Sequence, residues 1–210
     1  MWHRVRLIQD QMQTIFRFYP RFAFCDIAFG FLALFSNPYR TCRKFLQKIG
    51  EKDCYAYGET PLTTYQKITE ICEVLPGDTW LELGAGRGKG CFWLAQFIQC
   101  QVIGVEFVPQ FVSTACFLKK VLRLKNLRFE QKEIEEANFS SATVVYLYGT
   151  FFSDEKIARL TRKFEQLPPG AKIITISYPL ESAHLQLVKT FAVSYPWGDT
   201  EAFCHIRSLA

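Results

Sequence analysis

Thr79-Trp80-Leu81-Glu82-Leu83-Gly84-Ala85-Gly86-Arg87-Gly88-Lys89-Gly90 carries an apolar pentapeptide straight into a glycine cluster. The residues behind it, Cys91-Phe92-Trp93-Leu94-Ala95-Gln96-Phe97, are compatible with a helix. The order reads as strand, tight turn, helix, the opening of a βαβ unit. Glycine suits such a turn because the backbone must bend sharply and come close to a ligand, which a Cβ would obstruct.

The glycine register narrows the ligand. A dinucleotide fingerprint is G-x-G-x-x-G, whereas here Gly84, Gly86 and Gly88 follow G-x-G-x-G and Lys89 stands where the third dinucleotide glycine belongs. Glu82, two places before Gly84, would repel a pyrophosphate but can pair with an ammonium group. Gln101-Val102-Ile103-Gly104-Val105 reads as a second strand ending in Glu106, and a carboxylate at that strand end can accept both hydroxyls of a ribose. An amino acid joined to a nucleoside without phosphate describes S-adenosylmethionine.

These residues resemble a known family. Glu82 to Gly88 is similar to motif I of the class I S-adenosylmethionine-dependent methyltransferases, and Glu106 resembles their ribose-binding acid. The resemblance implies an α/β, Rossmann-like seven-stranded fold, mostly parallel with helices on both faces, and cofactor-binding roles for Glu82, Gly84, Gly86, Gly88, Lys89, Glu106 and Phe107. It also implies that Glu133 accepts from the adenine amine while Ile134 packs on the ring.

Tyr57-Gly58-Glu59-Thr60 is similar to the loop that closes over the methionine end of the cofactor in the disruptor-of-telomeric-silencing family of histone-lysine methyltransferases. Gly104-Val105-Glu106, Val145 to Phe152, and Gly170 to Ile174 continue that likeness, which covers roughly residues 55–206. By it, Tyr57, Glu59 and Thr60 join the cofactor set. The family has two asparagines at the end of its fourth strand where this chain has Tyr148 and Gly149, and its late tyrosine gives way in the Phe203-Cys204 region. The acceptor half of the site is therefore altered, and Tyr148 and Thr150 are the expected catalytic pair, unless either is simply a strand residue of the core.

Composition supports a single α/β domain of 210 residues with an N-terminal appendage, residues 1–54 against 55–210. A hydrophobic content of 49% is sufficient for a full core and excludes a disordered chain. Residues 1–58 hold nine of the 25 basic and four of the 20 acidic residues, so the whole net charge of +5 resides there. Such an appendage favours an anionic partner surface, lipid headgroups or nucleic acid. The eight cysteines lack any C-x-x-C pair, which points to buried thiols in a reducing compartment, the cytoplasm, and to no metal site.

Residues 15–35 are apolar and aromatic but interrupted by Arg17, Pro20, Arg21 and Asp26, too short a clean run for the roughly 20 residues of a spanning helix. Three readings stay open: an interfacial membrane anchor within residues 15–49, a helix docked on the domain or a partner, or true insertion. Further helices are expected at about 40–49, 62–74 (capped by Thr60), 109–123 and 154–166. Strands are expected at 127–131, 142–148, 172–177, 188–194 and 202–206. The basic run from Lys119 to Arg128 reads as a solvated face.

The expected activity is transfer of a methyl group to protein lysine nitrogen by in-line displacement, in a channel walled by Tyr148, Phe151, Phe152 and Phe203. Alternatives are a small or lipid-soluble acceptor, a nucleic acid, which ranks lower because the Asn/Asp-Pro-Pro-Tyr/Phe arrangement is missing, or a scaffold without catalysis.

Overall fold

The computed structural model describes residues 22–35, 37–51 and 57–208. Two helices, α1 (Ala23–Phe35) and α2 (Pro38–Lys48), precede α3 (Leu62–Ile71). The βαβ units follow: β1 (Thr79–Leu83), α4 (Lys89–Phe97), β2 (Gln101–Glu106), α5 (Pro109–Leu122) and β3 (Leu127–Gln131). A 3-10 turn (Ile134–Glu136) leads to β4 (Val144–Leu147), α6 (Asp154–Phe164) and β5 (Lys172–Ile176), and a hairpin of β6 (Leu185–Tyr195) and β7 (Gly198–Arg207) closes the sheet. Sheet order is β3-β2-β1-β4-β5-β7-β6, with β7 antiparallel to β5 and β6 and the other pairs parallel.

The central strands are buried on both faces, so they are apolar almost throughout rather than alternating. Alternate residues nevertheless serve different layers. Trp80, Tyr146 and Ile174 share one apolar cluster with residues of α3, α4 and α5. Leu81, Leu83, Val145, Leu147 and Ile173 share another with Leu160 and Phe164 of α6. Glu82 follows the parity of Trp80 and therefore enters the helix-covered interior, opposite Gly104 and Tyr146 in the ladder.

Helix boundaries have local causes. Asn37 caps α2, its side chain accepting from the Arg40 amide at 3.2 Å, with Pro38 at the first position. Ser153 caps α6, which has Asp154 and Glu155 in its first turn and Arg162 and Lys163 in its last, the arrangement the helix dipole favours. At α3 the expected cap fails: Pro61 occupies the cap position, and Thr60 instead shares a 2.8 Å hydrogen bond with the Tyr146 hydroxyl. The helix stops at Ile71 rather than Val74. The closing hairpin is longer than its sequence indicates, because its exposed strand residues carry no continuous apolar signal.

One face of α1 docks on α4. Phe29 meets Phe92 edge-on at 5.6 Å, Phe22 lies 6.2 Å from Phe97, and Asp26 pairs with Lys89 at 2.7 Å. Phe24 and Ile27 on the other side are exposed. Of the three readings of the aromatic segment, the described part thus realises docking on the domain; residues 15–21 lie outside the described residues. Among the described residues no helix is long and apolar enough to cross a membrane. Helix α2 sits near the end of β2, where Phe45 meets Phe107 edge-on at 5.1 Å and Cys42 shares a cluster with Val108 and Phe111. Six of the described cysteines are buried free thiols and Cys116 is partly exposed; Cys54 lies outside the described residues.

Candidate active site

Strand order reverses between β1 and β4, since β2 and β3 extend the sheet to one side and β4 and β5 to the other. Open α/β sheets hold ligands outside the carboxyl ends of their strands at such a switch. Here that edge carries the glycine turn after β1, Glu106 at the end of β2, and Tyr148-Gly149-Thr150 after β4.

The turn is shaped by its ladder bonds. The amides of Gly84 and Ala85 both donate to the Val105 carbonyl at 2.9 Å, and Gly86 and Gly88 take φ of +56° and +84°. A side chain at Gly86 would bring its Cβ within 3.3 Å of the Tyr57 ring, so the loop packs directly on the turn. Glu106 answers it from β2, accepting from the Gly86 amide at 2.7 Å and from the Val108 amide at 2.8 Å. Burial pushes the Glu106 carboxyl up to about 7, against the lowering effect of those amides, and nearby Glu133 adds to the rise. Glu133 itself lies 3.6 Å from the Lys156 ammonium, and Ile134 joins the apolar cluster of Ile103 and Val105.

Glu59 forms a two-point pair with Arg87: Nε to Oε1 at 2.5 Å and Nη2 to Oε2 at 2.8 Å. The Tyr57 hydroxyl donates to the same Oε1 at 2.5 Å. Burial alone would raise the Glu59 carboxyl, but Arg87 outweighs it and holds it below the usual range.

Two expected ligand groups lie elsewhere. Lys89 turns away to Asp26 of α1, because its place at the first position of α4 faces the docked helix. Glu82 is 3% exposed, and its two oxygens accept from the Tyr65 hydroxyl and, at 3.1 Å, from Trp80 Nε1, with the Cys91 thiol as a further donor. Its carboxylate is held inside the fold by protein donors instead of facing the crevice.

Beyond the carboxyl end of β4, Tyr148 stacks on Tyr195 at 4.8 Å and accepts from Trp197 Nε1 at 2.6 Å; Tyr195 and Trp197 are also stacked, at 5.5 Å. Burial raises the Tyr148 phenol, against hydrogen bonds from Trp197 and Thr150, so it stays protonated at neutral pH. Thr150 is exposed. Phe152 folds back over Gly149, where a Cβ would come within 2.5 Å of its ring, and meets the exposed Phe151 edge-on at 4.5 Å. Phe203 is buried in β7, paired with Thr175 and Thr190, and does not take part in that stack. Arg87, Tyr195 and Trp197 were not among the expected site residues. The available signal was the aromatic pair of Tyr195, at the end of β6, and Trp197, in the two-residue turn that follows.

The donor set fits S-adenosylmethionine: a partly exposed anion and cation beside the glycine turn, a carboxylate at the end of β2, and a second acid near it. Fold and site together define a class I S-adenosylmethionine-dependent methyltransferase. The chain belongs to the methyltransferase-domain family, which matches residues 75–185.

Among its relatives are phosphoethanolamine N-methyltransferase 3 of Arabidopsis thaliana, 26% identical over 121 residues that cover 56% of this chain and 24% of that protein. The H3 lysine-79 specific histone-lysine N-methyltransferase of Dictyostelium discoideum is 26% identical over 137 residues, covering 57% and 7%. The chain thus spans about a quarter or less of the length of these two curated relatives. A solved RNA methyltransferase from Salinibacter ruber with bound S-adenosyl-L-homocysteine shares the fold at a TM-score of 0.62 and 24% identity, covering 73% of this chain and 95% of that one.

Proposed function

We propose that the protein methylates an amine nitrogen, and that the amine is a lysine side chain of a protein. The observation that carries this is the aromatic stack of Tyr195, Tyr148 and Trp197 at the carboxyl end of β4, with Trp197 54% exposed. Flat ring faces suit the slender apolar stem of lysine.

A free lysine needs about 4.6 kcal/mol to become neutral at pH 7, the equivalent of roughly 3.4 pKa units. Apolar walls lower that cost by disfavouring the ammonium. The neutral nitrogen then attacks the methyl carbon in line with sulfur; the N–C bond forms, the S–C bond breaks, and its electron pair stays on sulfur. A proton leaves the methylated nitrogen to water. Tyr148 and Thr150 orient the incoming amine, and the cofactor is held by Tyr57, Glu59, Thr60, the glycine turn, Phe107, Glu106, Glu133 and Ile134.

A second reading, a small phosphorylated amine, is favoured by the name of the Arabidopsis relative. Reaction with methyl-labelled cofactor separates them. Label in protein from a lysate supports lysine, and label that enters only added phosphoethanolamine, a lipid extract or RNA overturns it.

We also propose that the outward side of α1, with Phe24 and Ile27, lies against an anionic bilayer surface together with the exposed Arg40, Arg43, Lys44 and Lys48 of α2. Co-sedimentation with phosphatidylserine vesicles, lost in 0.5 M salt at about a 4 Å Debye length, is the expected result; no binding at low salt refutes it.

A further inference from the structure

With Glu82 enclosed by Tyr65 and Trp80, the charged head of the cofactor needs another partner. Only a zwitterion presents an ammonium and a carboxylate together, and the Glu59–Arg87 pair presents their complements side by side. Both side chains are partly exposed, Arg87 at 16% and Glu59 at 32%. Arg87 also lies inside the glycine turn, one residue past Gly86, whose amide already meets the ribose acid Glu106. From that point the ligand's amino-acid arm has Arg87 as its nearest cation along the chain.

The hydrogen-bond inventory allows exchange. A guanidinium carries five N–H donors, and the bonds to Glu59 and to the Phe29 carbonyl, at 3.3 Å, engage three of them. A carboxylate has about four acceptor sites, of which Arg87 uses two and the Tyr57 hydroxyl a third. Lys89, the other cation of the turn, pairs with Asp26 of α1 rather than with Glu59.

We propose that Arg87 binds the carboxylate of the S-adenosylmethionine amino-acid head while Glu59 takes its ammonium, the two residues pairing with each other when that head is absent. The proposal rests on the cofactor reading of the site. Arg87 sits at one of the two non-glycine positions inside the G-x-G-x-G turn, and its side chain reaches the loop that carries Glu59. Because Arg87 stands over the Phe29 ring at 5.5 Å as well, docking of α1 helps to hold the guanidinium in place.

Calorimetric titration with two ligands tests it. S-adenosyl-L-homocysteine has the amino-acid head, and 5′-methylthioadenosine lacks it while keeping the nucleoside. Arg87→Ala should weaken the first about 10- to 100-fold, the range for hydrogen bonds to charged groups, and change the second less than about twofold. Glu59→Gln should behave likewise. Arg87→Lys, which keeps the charge and covers the case where the alanine variant fails to fold, should fall between wild type and alanine for the first ligand alone. Equal losses for both ligands would make Arg87 a scaffold of the turn and overturn the proposal, as would unchanged affinity for S-adenosyl-L-homocysteine. If the unaltered protein bound neither ligand, the cofactor reading itself would fall, a result distinct from either of these.

Discussion

The hydroxyl of Tyr65, on α3, donates to the carboxylate of Glu82 at the end of β1, deep beneath the glycine turn. Burial pushes this carboxyl up to about 7 in spite of the Tyr65, Trp80 and Cys91 donors that lower it. The folded state therefore keeps a proton that the unfolded chain, with an ordinary value of 4.5, has lost between about pH 4.5 and 7.

The sign follows directly. With more protons bound when folded, stability falls as pH rises from about 4.5 to about 7 and levels off above. Glu106, also raised to about 7, contributes with the same sign. Urea unfolding at pH 5, 6, 7 and 8 should show the decline, and Glu82→Gln should flatten it while leaving affinity for S-adenosyl-L-homocysteine within about twofold. A profile that rises across this window would contradict the buried placement of both acids.

Tyr65→Phe leaves one oxygen of a buried acid without its donor, a loss of about 1–3 kcal/mol. The ring itself must stay, since Gly90 has no side chain where Tyr65 packs against it. Denaturant midpoints for the phenylalanine and Gly90→Ala variants should both drop, the second through collision rather than a lost hydrogen bond. Equal stability of either variant with wild type would refute the corresponding contact.

Much of this was legible in sequence. β1, β2 and β3 fall where read, because runs such as Thr79–Leu83 are short, apolar and bounded by turn residues. Glu106 lies at the end of its strand beside the glycine turn, as its spacing implied. What spacing could not supply was direction. Glu82 shares the parity of Trp80 and points under the helices, and Lys89 faces a helix whose docking depends on contacts over 60 residues away in sequence, Asp26 among them. Trp197 does lie in the hairpin turn after Tyr195, but its bond to Tyr148 joins residues 49 positions apart, which local spacing does not reveal.

In its proposed cofactor role Glu106 accepts the ribose hydroxyls, and its ionised form accepts them more strongly. Affinity for S-adenosyl-L-homocysteine should accordingly climb between pH 6 and 8, through the raised value of about 7. Glu106→Gln should lose about tenfold in affinity and most of that pH dependence, read by titration calorimetry at three pH values. A variant that kept the full slope would assign the titration to another group.

Trp197 stands half exposed and holds the Tyr148 hydroxyl at 2.6 Å. Trp197→Ala removes an exposed wall of the proposed acceptor channel, so KM for the acceptor should rise at least fivefold while the Kd for S-adenosyl-L-homocysteine stays put. Trp197→Phe, which keeps the ring face but not the indole N–H, separates stacking from the hydrogen bond. If cofactor affinity dropped in parallel, the stack would belong to the cofactor side instead.

Within α1, Phe29 and Phe24 make a matched pair. Phe29 is buried, edge-on to Phe92 and under the Arg87 guanidinium, whereas Phe24 is 55% exposed. Removing a buried phenylalanine side chain costs about 3–5 kcal/mol, and removing an exposed one changes stability by about 0.5 kcal/mol or less. Phe29→Ala should therefore lower the melting temperature by several degrees, and Phe24→Ala should barely move it. The same two proteins would separate docking from membrane contact, because vesicle binding should weaken in the Phe24 variant and persist in the folded fraction of the other. Equal destabilisation by both substitutions would mean that α1 does not pack on α4 through the Phe29 face.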